Sequence, residues 1–599
     1  MDQKRLFLAI AISLAILMGF QAFMPTKKPA PTAQRPAGQP TAVQTNGSAP
    51  AGAPAAAPGQ VAVPTVAAVP RDVPRVKIEA PRVAGSISLL GARIDDLVLS
   101  EYRETINPNS PRVRLLEPRA ESRPYYVQYG WSAGIGTTAR LPDGDTVWAS
   151  SAPVLSQGKP VVLSWDNGAG LIFEIEIGID DKYMFAVEQR VRNNSGTPVQ
   201  LFPWGRIRRD YKPALEGYYV LFEGLFGVMN GKLQELGYDS VKTDAEKRDA
   251  RLRGDGKVPE NIAFDATSVG GWGGMTDKYW LTALIANSAV PTVISFRHTA
   301  GAGTGALADN YQVDFRTADA QTIEPGARGA LPTHVFAGAK VVSLLQTYEE
   351  KLNIPMFDYA VDWGWFWFLT RPIFSALDWL NVHLGNFGLA ILVFTVFAKL
   401  LFFPLANYSY RSMSKMKLLA PKMTELREKY KEDPQRMQKE VMNLYREEKV
   451  NPASGCLPVM VQIPVFFSLY KVIFVTIEMR QAPFYGWIKD LSAVDPTNVF
   501  NLFGLIPVDV AHYVPFFHVG VWPLLMGITM WLQMKLNPPP PDPVQAKLFQ
   551  LMPIGFTFML AGFPAGLVIY WTWNNLLSIA QQWMIMRRTT LPKPNLAKV

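Results

Sequence analysis

The 599-residue sequence predicts a multi-pass α-helical membrane protein, with six transmembrane helices of which five form a core, carrying a large exported β-sandwich domain. Three observations predict it. Hydrophobic residues make up 48% of the chain and charged ones only 18%, against the ~25% charged of a soluble protein. Apolar side chains alternate with period two through much of residues 73–345, the signature of half-buried strands. The last third carries long apolar runs, separated by one basic loop and one acidic loop. The single Cys, Cys456, excludes a disulfide framework and a cysteine-clustered metal site. The five His residues, at 298, 334, 383, 512 and 518, show no HExxH or other ligand spacing, so metal-assisted hydrolysis is not expected; no cofactor or metal and no enzymatic activity are expected of the chain on the reading reached below.

Residues 1–24 read as an N-terminal transmembrane anchor. Leu6 to Met24 contains no charge, and its length at 1.5 Å per residue is ~28 Å, about one hydrocarbon thickness. A cleaved signal peptide is the competing reading, but Phe20 and Ala22 do not make a small-x-small site. Lys4 and Arg5 then place the N-terminus in the cytoplasm. Residues 25–72 are Pro/Ala-rich with almost no charge, and read as a disordered tether.

Residues 73–345 read as an all-β sandwich, which the preceding anchor places outside the cytoplasm. Leu171, Phe173, Ile175, Ile177 and Ile179 alternate with Ile172, Glu174, Glu176, Gly178 and Asp180. A second run, Tyr183, Phe185, Val187, Gln189 and Val191, ends at the turn signal Asn193-Asn194-Ser195-Gly196. Shorter strands fit Ser86–Leu90, Val161–Trp165 and Val293–Arg297. Glu174 and Glu176 invite comparison with a glycosidase pair, yet strand alternation puts them side by side on one solvated face.

Residues 346–385 read as a connector with an aromatic amphipathic helix lying on the outer membrane surface. Trp363, Trp365, Trp367 and Trp379 lie among Asp358, Asp362, Arg371 and Asp378, and Ile373, Leu377, Leu380 and Leu384 form a helical stripe. The remaining spans are expected at 386–405, 456–477, 519–536, 548–563 and 566–586, with a periplasmic loop over 478–518, a cytoplasmic loop over 537–547 and a cytoplasmic tail over 587–599. The loop 406–455 carries 11 Lys or Arg against 7 Asp or Glu, while 478–518 carries 2 against 4. Basic loops stay inside, so the first is cytoplasmic and the second external. The run Val499–Val519 is broken by Pro507, Asp509, His512 and Pro515, and reads as interfacial or re-entrant.

Three features bear on function. Lys399 lies ~9 Å from the inner end of its span and ~18 Å from the outer. By position alone it either snorkels to the inner headgroups or faces a wet cavity. Polar residues of the neighbouring spans favour the cavity, and the expected groove comprises Lys399, Thr395, Gln462, Ser468, Tyr570, Trp571 and Asn574, with Tyr570 and Asn574 sharing a face at i, i+4. The fourth and fifth spans are short, ~22 to 24 Å, which thins the bilayer locally. The loop 406–455 reads as a cytoplasmic helical hairpin, with Met413, Met416, Met423 and Leu426 facing Met437, Val441 and Leu444 across the break at Asp433-Pro434. Its basic exterior is either a solvated face or a platform for an acidic or nucleic-acid-containing partner. A secondary transporter would also carry midplane polar groups, but the core spans show no two-fold repeat.

The order of segments and several stretches resemble the YidC family, the bacterial membrane protein insertases of the Oxa/Alb superfamily, and the exported domain looks like that of the Gram-negative type. Those stretches are Gly271–Trp280, Ser412–Lys422, Glu447–Cys456, Arg480–Phe484 and Phe563–Tyr570. The resemblance implies an ATP-independent insertase and chaperone of nascent inner-membrane proteins. By the same resemblance it is expected to work through a hydrophilic cationic groove, alone or with the Sec translocon. It also implies contact with the lipid bilayer and, through the hairpin, with the ribosome and signal-recognition targeting machinery, without recognition of a specific nucleic-acid sequence. The exported domain is expected to be similar to sugar-mutarotase sandwiches without their activity. Where most relatives carry Arg in the groove, this chain has Lys399, which keeps the charge and loses the planar fork.

Overall fold

A computed structural model describes residues 73–216, 221–431, 433–448, 450–451, 457–506, 518–537 and 543–588. The anchor and tether expected over 1–72, Cys456 and most of the terminal tail lie outside the described residues.

The first part is a β-sandwich. One eleven-stranded sheet runs, in spatial order, Ile262–Val269, Pro291–Ala300, Asp309–Thr317, Val199–Arg209, Tyr125–Ala133, Arg93–Arg103, Val83–Ser88, Arg75–Glu79 and Val154–Ser156, with two short strands off this path. The other, nine-stranded, runs Lys232–Gly237, Gly224–Met229, Trp272–Thr276, Trp280–Ile285, Arg328–Ala339, Met184–Asn193, Leu171–Ile179, Val161–Asp166 and Ala149–Ser150. The alternation read from the sequence has its cause here: Leu171, Phe173, Ile175, Ile177 and Ile179 are all buried between the sheets, and their neighbours on the other face are not. Gln189, the one amide in the second alternating run, is also buried and donates across the sandwich to the Gly130 carbonyl at 2.7 Å. Glu174 and Glu176 pair with Arg192 and Arg190 on the adjacent strand, so they are cross-strand ion pairs on the outer face.

One element departs from the all-β expectation. Helix α1, Tyr238–Gly254, lies over the edge strand Ile262–Val269. Its buried stripe is only Tyr238, Val241, Ala245 and Asp249 in a segment otherwise rich in charge, too narrow to stand out as an apolar period. Asp249 is satisfied by the backbone N–H groups of Glu260 and Asn261, which closes the following loop.

Helix α2, Val342–Leu352, leads into a 3-10 turn at Phe357–Ala360 and then α3, Trp367–Leu384. The aromatic segment divides in two. Phe357 and Trp363 are buried, whereas Trp365, Trp367, Phe368 and Trp379 are exposed. Ile373, Phe374, Leu377 and Leu380 form the buried stripe of α3, and Leu384, expected on that stripe, is exposed. Gly385, at φ 67°, supplies the left-handed residue that ends α3, and Asn386 caps α4, Phe387–Leu401, by accepting from Leu389 N at 3.0 Å.

The helical part continues with α5, Phe403–Lys429; α6, Pro434–Glu447; α7, Leu457–Val475; α8, Val521–Leu536; α9, Pro543–Leu560; and α10, Ala565–Arg588. The span expected to run to residue 405 stops at Phe402. Pro404 sits in the first turn of α5, where its missing N–H costs nothing, and the first arm of the hairpin therefore begins inside the expected span. No single helix among the described residues is long and apolar enough to cross a membrane, while α4 and the first part of α5, bent by 66°, meet that test together. Met460–Val475 and Lys547–Leu560 are shorter apolar helices. In the hairpin, Leu419 and Met423 pack on Tyr445 and Val450, but Met413 turns the other way and packs with Ala406 and Tyr410 against Ile585 of α10.

Candidate functional site

Lys399 lies in the last turn of α4, where the helix dipole favours a cation. Its Nζ donates to Ser578 Oγ at 2.8 Å and reaches Gln462 Oε1 at 3.5 Å. Gln462 on α7 in turn donates from Nε2 to Tyr570 OH at 3.3 Å and to Asn574 Oδ1. Tyr570, Asn574, Ser578 and Gln581 follow one another along a single face of α10, and Gln581 Nε2 donates to the Lys399 carbonyl at 3.2 Å. One cation, three amides, a phenol and a hydroxyl thus meet where α4, α7 and α10 converge. No ion pair among the described residues engages Lys399.

A cavity of about 110 Å³ opens beside this network. Its wall includes Thr395, Lys399, Gln462, Tyr570 and Asn574 of the expected groove. Ser468 and Trp571 fall outside it: Ser468 is buried further along α7, and the Trp571 ring packs edge-on against Phe466 at 4.6 Å. Among the lining residues absent from the sequence reading of the groove are Ser578, Gln581, Asn537 and Tyr410. Ser578 and Gln581 were legible in principle, since they continue the i, i+4 series begun by Tyr570 and Asn574. Tyr410 had no such signal, because it enters only through the bend between α4 and α5.

The decisive comparison comes from sequence families. The family described as 60Kd inner membrane protein matches residues 379–593, and the family described as YidC periplasmic domain matches residues 75–376. The chain belongs to the YidC family. It is 57% identical, over the full length of both chains, to the membrane protein insertase YidC of Granulibacter bethesdensis. The membrane protein insertase YidC of Acidiphilium cryptum is 51% identical over 86% of this chain and 85% of that one. Among solved structures, an active YidC insertase with its first transmembrane domain resolved matches 86% of this chain and 93% of that chain, at 16% identity and a TM-score of 0.35. As a YidC protein this is an inner membrane protein with a periplasmic β-sandwich domain.

Two of the stretches that carry the YidC resemblance, Gly271–Trp280 and Arg480–Phe484, meet at the seam between sandwich and helices. In Gly271–Trp280, Trp272 is wholly buried and donates from Nε1 to the Pro355 carbonyl at 3.0 Å. Asp277 takes a bidentate pair from the buried Arg209 at 2.8 Å on each oxygen. Lys278 sets its ammonium 3.7 Å from the centre of the Phe474 ring in α7. In Arg480–Phe484, Arg480 donates to the Arg103 carbonyl at 2.5 Å and lies over the Trp280 ring, and Phe484 fills the space where Gly388 of α4 has no side chain. Lys471 of α7 pairs with Asp362 at 2.5 Å, and the same carboxylate oxygen accepts Phe222 N at 2.8 Å. Glu478, in a 3-10 turn after α7, is half-buried with its carboxyl turned inside, and accepts Val342 N at 2.9 Å; burial of the carboxyl pushes it up to about 7.

Proposed function

We propose that this chain inserts hydrophobic segments of nascent proteins into the inner membrane by drawing a polar tail toward Lys399. The observation that carries the reading is a cation held by a hydroxyl and an amide and by no carboxylate among the described residues. Those partners solvate the ammonium and leave its charge uncompensated, so the site keeps an attraction for an acidic group. Polar side chains line the cavity beside Lys399, and it is roomy enough for several waters. On this reading the client's polar tail alone enters, and its apolar segment travels along the exposed apolar side chains of α4 and α7, among them Phe397, Leu400, Met460 and Ile463. It then leaves sideways by partition into lipid, without ATP and without a covalent step.

The same reading assigns six spans with both termini in the cytoplasm: residues 1–24, α4, α7, α8, α9 and α10. The sandwich is then periplasmic, and the basic hairpin of α5 and α6 faces the ribosome and the signal-recognition machinery, with the Sec translocon as a partner in the membrane for some clients. The test replaces the wild type by Lys399→Glu or Lys399→Arg in cells depleted of their own insertase. Lys399→Arg is expected to support insertion of a single-span client with an acidic tail, and Lys399→Glu to abolish it. Unchanged insertion by Lys399→Glu overturns the electrostatic role.

A further inference from the structure

We propose that the external loop Asn498–Ile506 is a lipid-seated wedge that inserts its apolar tip into the outer leaflet beside α8 and α9. The inference rests on the proposed spanning of those two helices. From Pro496 to Ile506 the chain carries no charge. Phe500, Leu502, Phe503, Leu505 and Ile506 all project from the protein, Leu505 with 83% of its surface exposed. So dense an apolar tip is costly in water.

The tip is built, and held against strain. Leu502 and Phe503 adopt successive left-handed conformations, at φ 48° and 60°, a region that bulky side chains rarely occupy and that costs on the order of 1–3 kcal/mol per residue. The base fixes them there. Asp495, buried, accepts from Trp487 Nε1 at 3.1 Å and Thr497 Oγ1 at 2.7 Å, and its second oxygen caps α8 through Trp522 N at 2.9 Å. Asn498 accepts Phe500 N at 3.0 Å on its side chain and Phe503 N at 3.0 Å on its carbonyl, and Ile506 N bonds the Asn501 carbonyl at 3.0 Å. With these N–H groups satisfied internally, the loop can leave water at the shallow depth of an interfacial segment, about 5–10 Å.

The occupant follows from continuity and length. The Phe500 ring stacks on Phe558 of α9 at 6.5 Å, joining the tip to a helix whose Leu551 and Ile554 are exposed, and α8 presents Leu524, Ile528 and Trp531 in the same way. Helices of 16 and 18 residues span ~24 and ~27 Å, short of the ~30 Å hydrocarbon core. An apolar tip at their outer ends extends the greasy surface on the side where they fall short. Acyl chains, which impose no directional bonding, fit a surface that offers none.

The test uses the full chain with Cys456→Ser, which removes its one thiol. Leu505→Cys is labelled with nitrobenzoxadiazole and reconstituted in phosphatidylethanolamine–phosphatidylglycerol vesicles containing lipids with a spin-label quencher either near the headgroup or deep in the acyl chain. Leu551→Cys reports whether α9 spans, and Ile135→Cys, on the sandwich, reports water. The Leu505 label is expected to lose emission about twofold with the shallow quencher and less with the deep one, in keeping with an interfacial depth. The Leu551 label should be quenched more by the deep quencher, and the Ile135 label by neither. If Leu551 is quenched and Leu505 is not, the wedge is overturned while the spanning stands; blue-shifted but unquenched emission at Leu505, the mark of a protein partner, overturns it equally. An unquenched Leu551 label overturns the spanning and the wedge with it.

Discussion

Lys471 and Lys399 belong to one helical bundle, and both are lysines removed from most of their water. Lys471 stands at the seam with the sandwich, 2.5 Å from Asp362, whose carboxylate also accepts a backbone N–H. Lys399 stands where α4, α7 and α10 converge, and its ammonium meets Ser578 and Gln462. Desolvating an ion costs several kcal/mol, and a paired carboxylate returns much of it while cancelling the field beyond the pair. Hydroxyl and amide oxygens return less and cancel nothing. The first arrangement makes a joint. The second maintains a potential, at the expense of stability, for something that arrives later.

The largest stability effect is therefore expected at the joint. Lys471→Met leaves the half-buried Asp362 beside Phe222 without its cation, a change expected to cost about 3 kcal/mol, the low end for a buried pair. Thermal unfolding of the purified chain in detergent should register it, and Asp362→Asn combined with Lys471→Met should recover much of the loss. Equal melting of the single variant and the wild type would erase the distinction between the two lysines. Next is Glu478, one turn beyond α7. Burial holds its carboxyl at about 7, with the like charge of Asp378 adding to the shift. The native state then keeps a proton that the unfolded chain releases above about pH 4, so this contribution is complete in acid and is lost as pH rises to about 7, by about 3 kcal/mol in all. Glu478→Gln, which keeps an acceptor for Val342 N, should raise stability at pH 8 and flatten the pH profile between 5 and 8; an unchanged profile would remove the buried acid from the joint.

Packing away from either lysine should matter less. A side chain added at Gly527 of α8 would meet Thr557 Oγ1 of α9 at 2.0 Å, so these helices touch almost backbone to side chain. Gly527→Val is expected to cost about 1–3 kcal/mol, read as increased proteolysis of the reconstituted protein, with Gly527→Ala intermediate. A null result would mean that α8 and α9 slide freely where the structure locks them.

The two sites were unequally legible in the sequence, for physical reasons. Lys399 announced itself because a cation inside an apolar run is anomalous whatever surrounds it, and Tyr570 and Asn574 followed from helical spacing. Lys471 sits in an equally apolar run, but its meaning lies in Asp362, 109 residues earlier, and no local pattern links the two. The sandwich was readable wherever one face is buried and the other solvated, as in Leu171–Ile179, and unreadable at α1, where charge hides a four-residue stripe. The break at Phe402 was hidden for a third reason: hydropathy continues through it, and only Pro404 marks that a new helix has begun. That break brings Tyr410 to the cavity, which spacing along a straight helix would have placed beyond it.

Lys399 supplies the smallest stability effect and the sharpest use of the comparison. Lys399→Met removes one ammonium and its bond to Ser578, and a charge no longer has to be kept from water. With net hydrogen-bond contributions of about 1 kcal/mol and a desolvation cost relieved, melting should shift little in either direction. Insertion of a client with an acidic tail should nonetheless fall by at least about tenfold, the effect of 1.4 kcal/mol on a rate, while a client whose tail carries no charge should be affected far less. Measuring both clients with the same reconstituted variant separates a lost field from a damaged fold, because a damaged fold would slow both. A Lys399→Met chain that melts as early as Lys471→Met would place the two lysines in one class, as joints, and the uncompensated charge would then be structural.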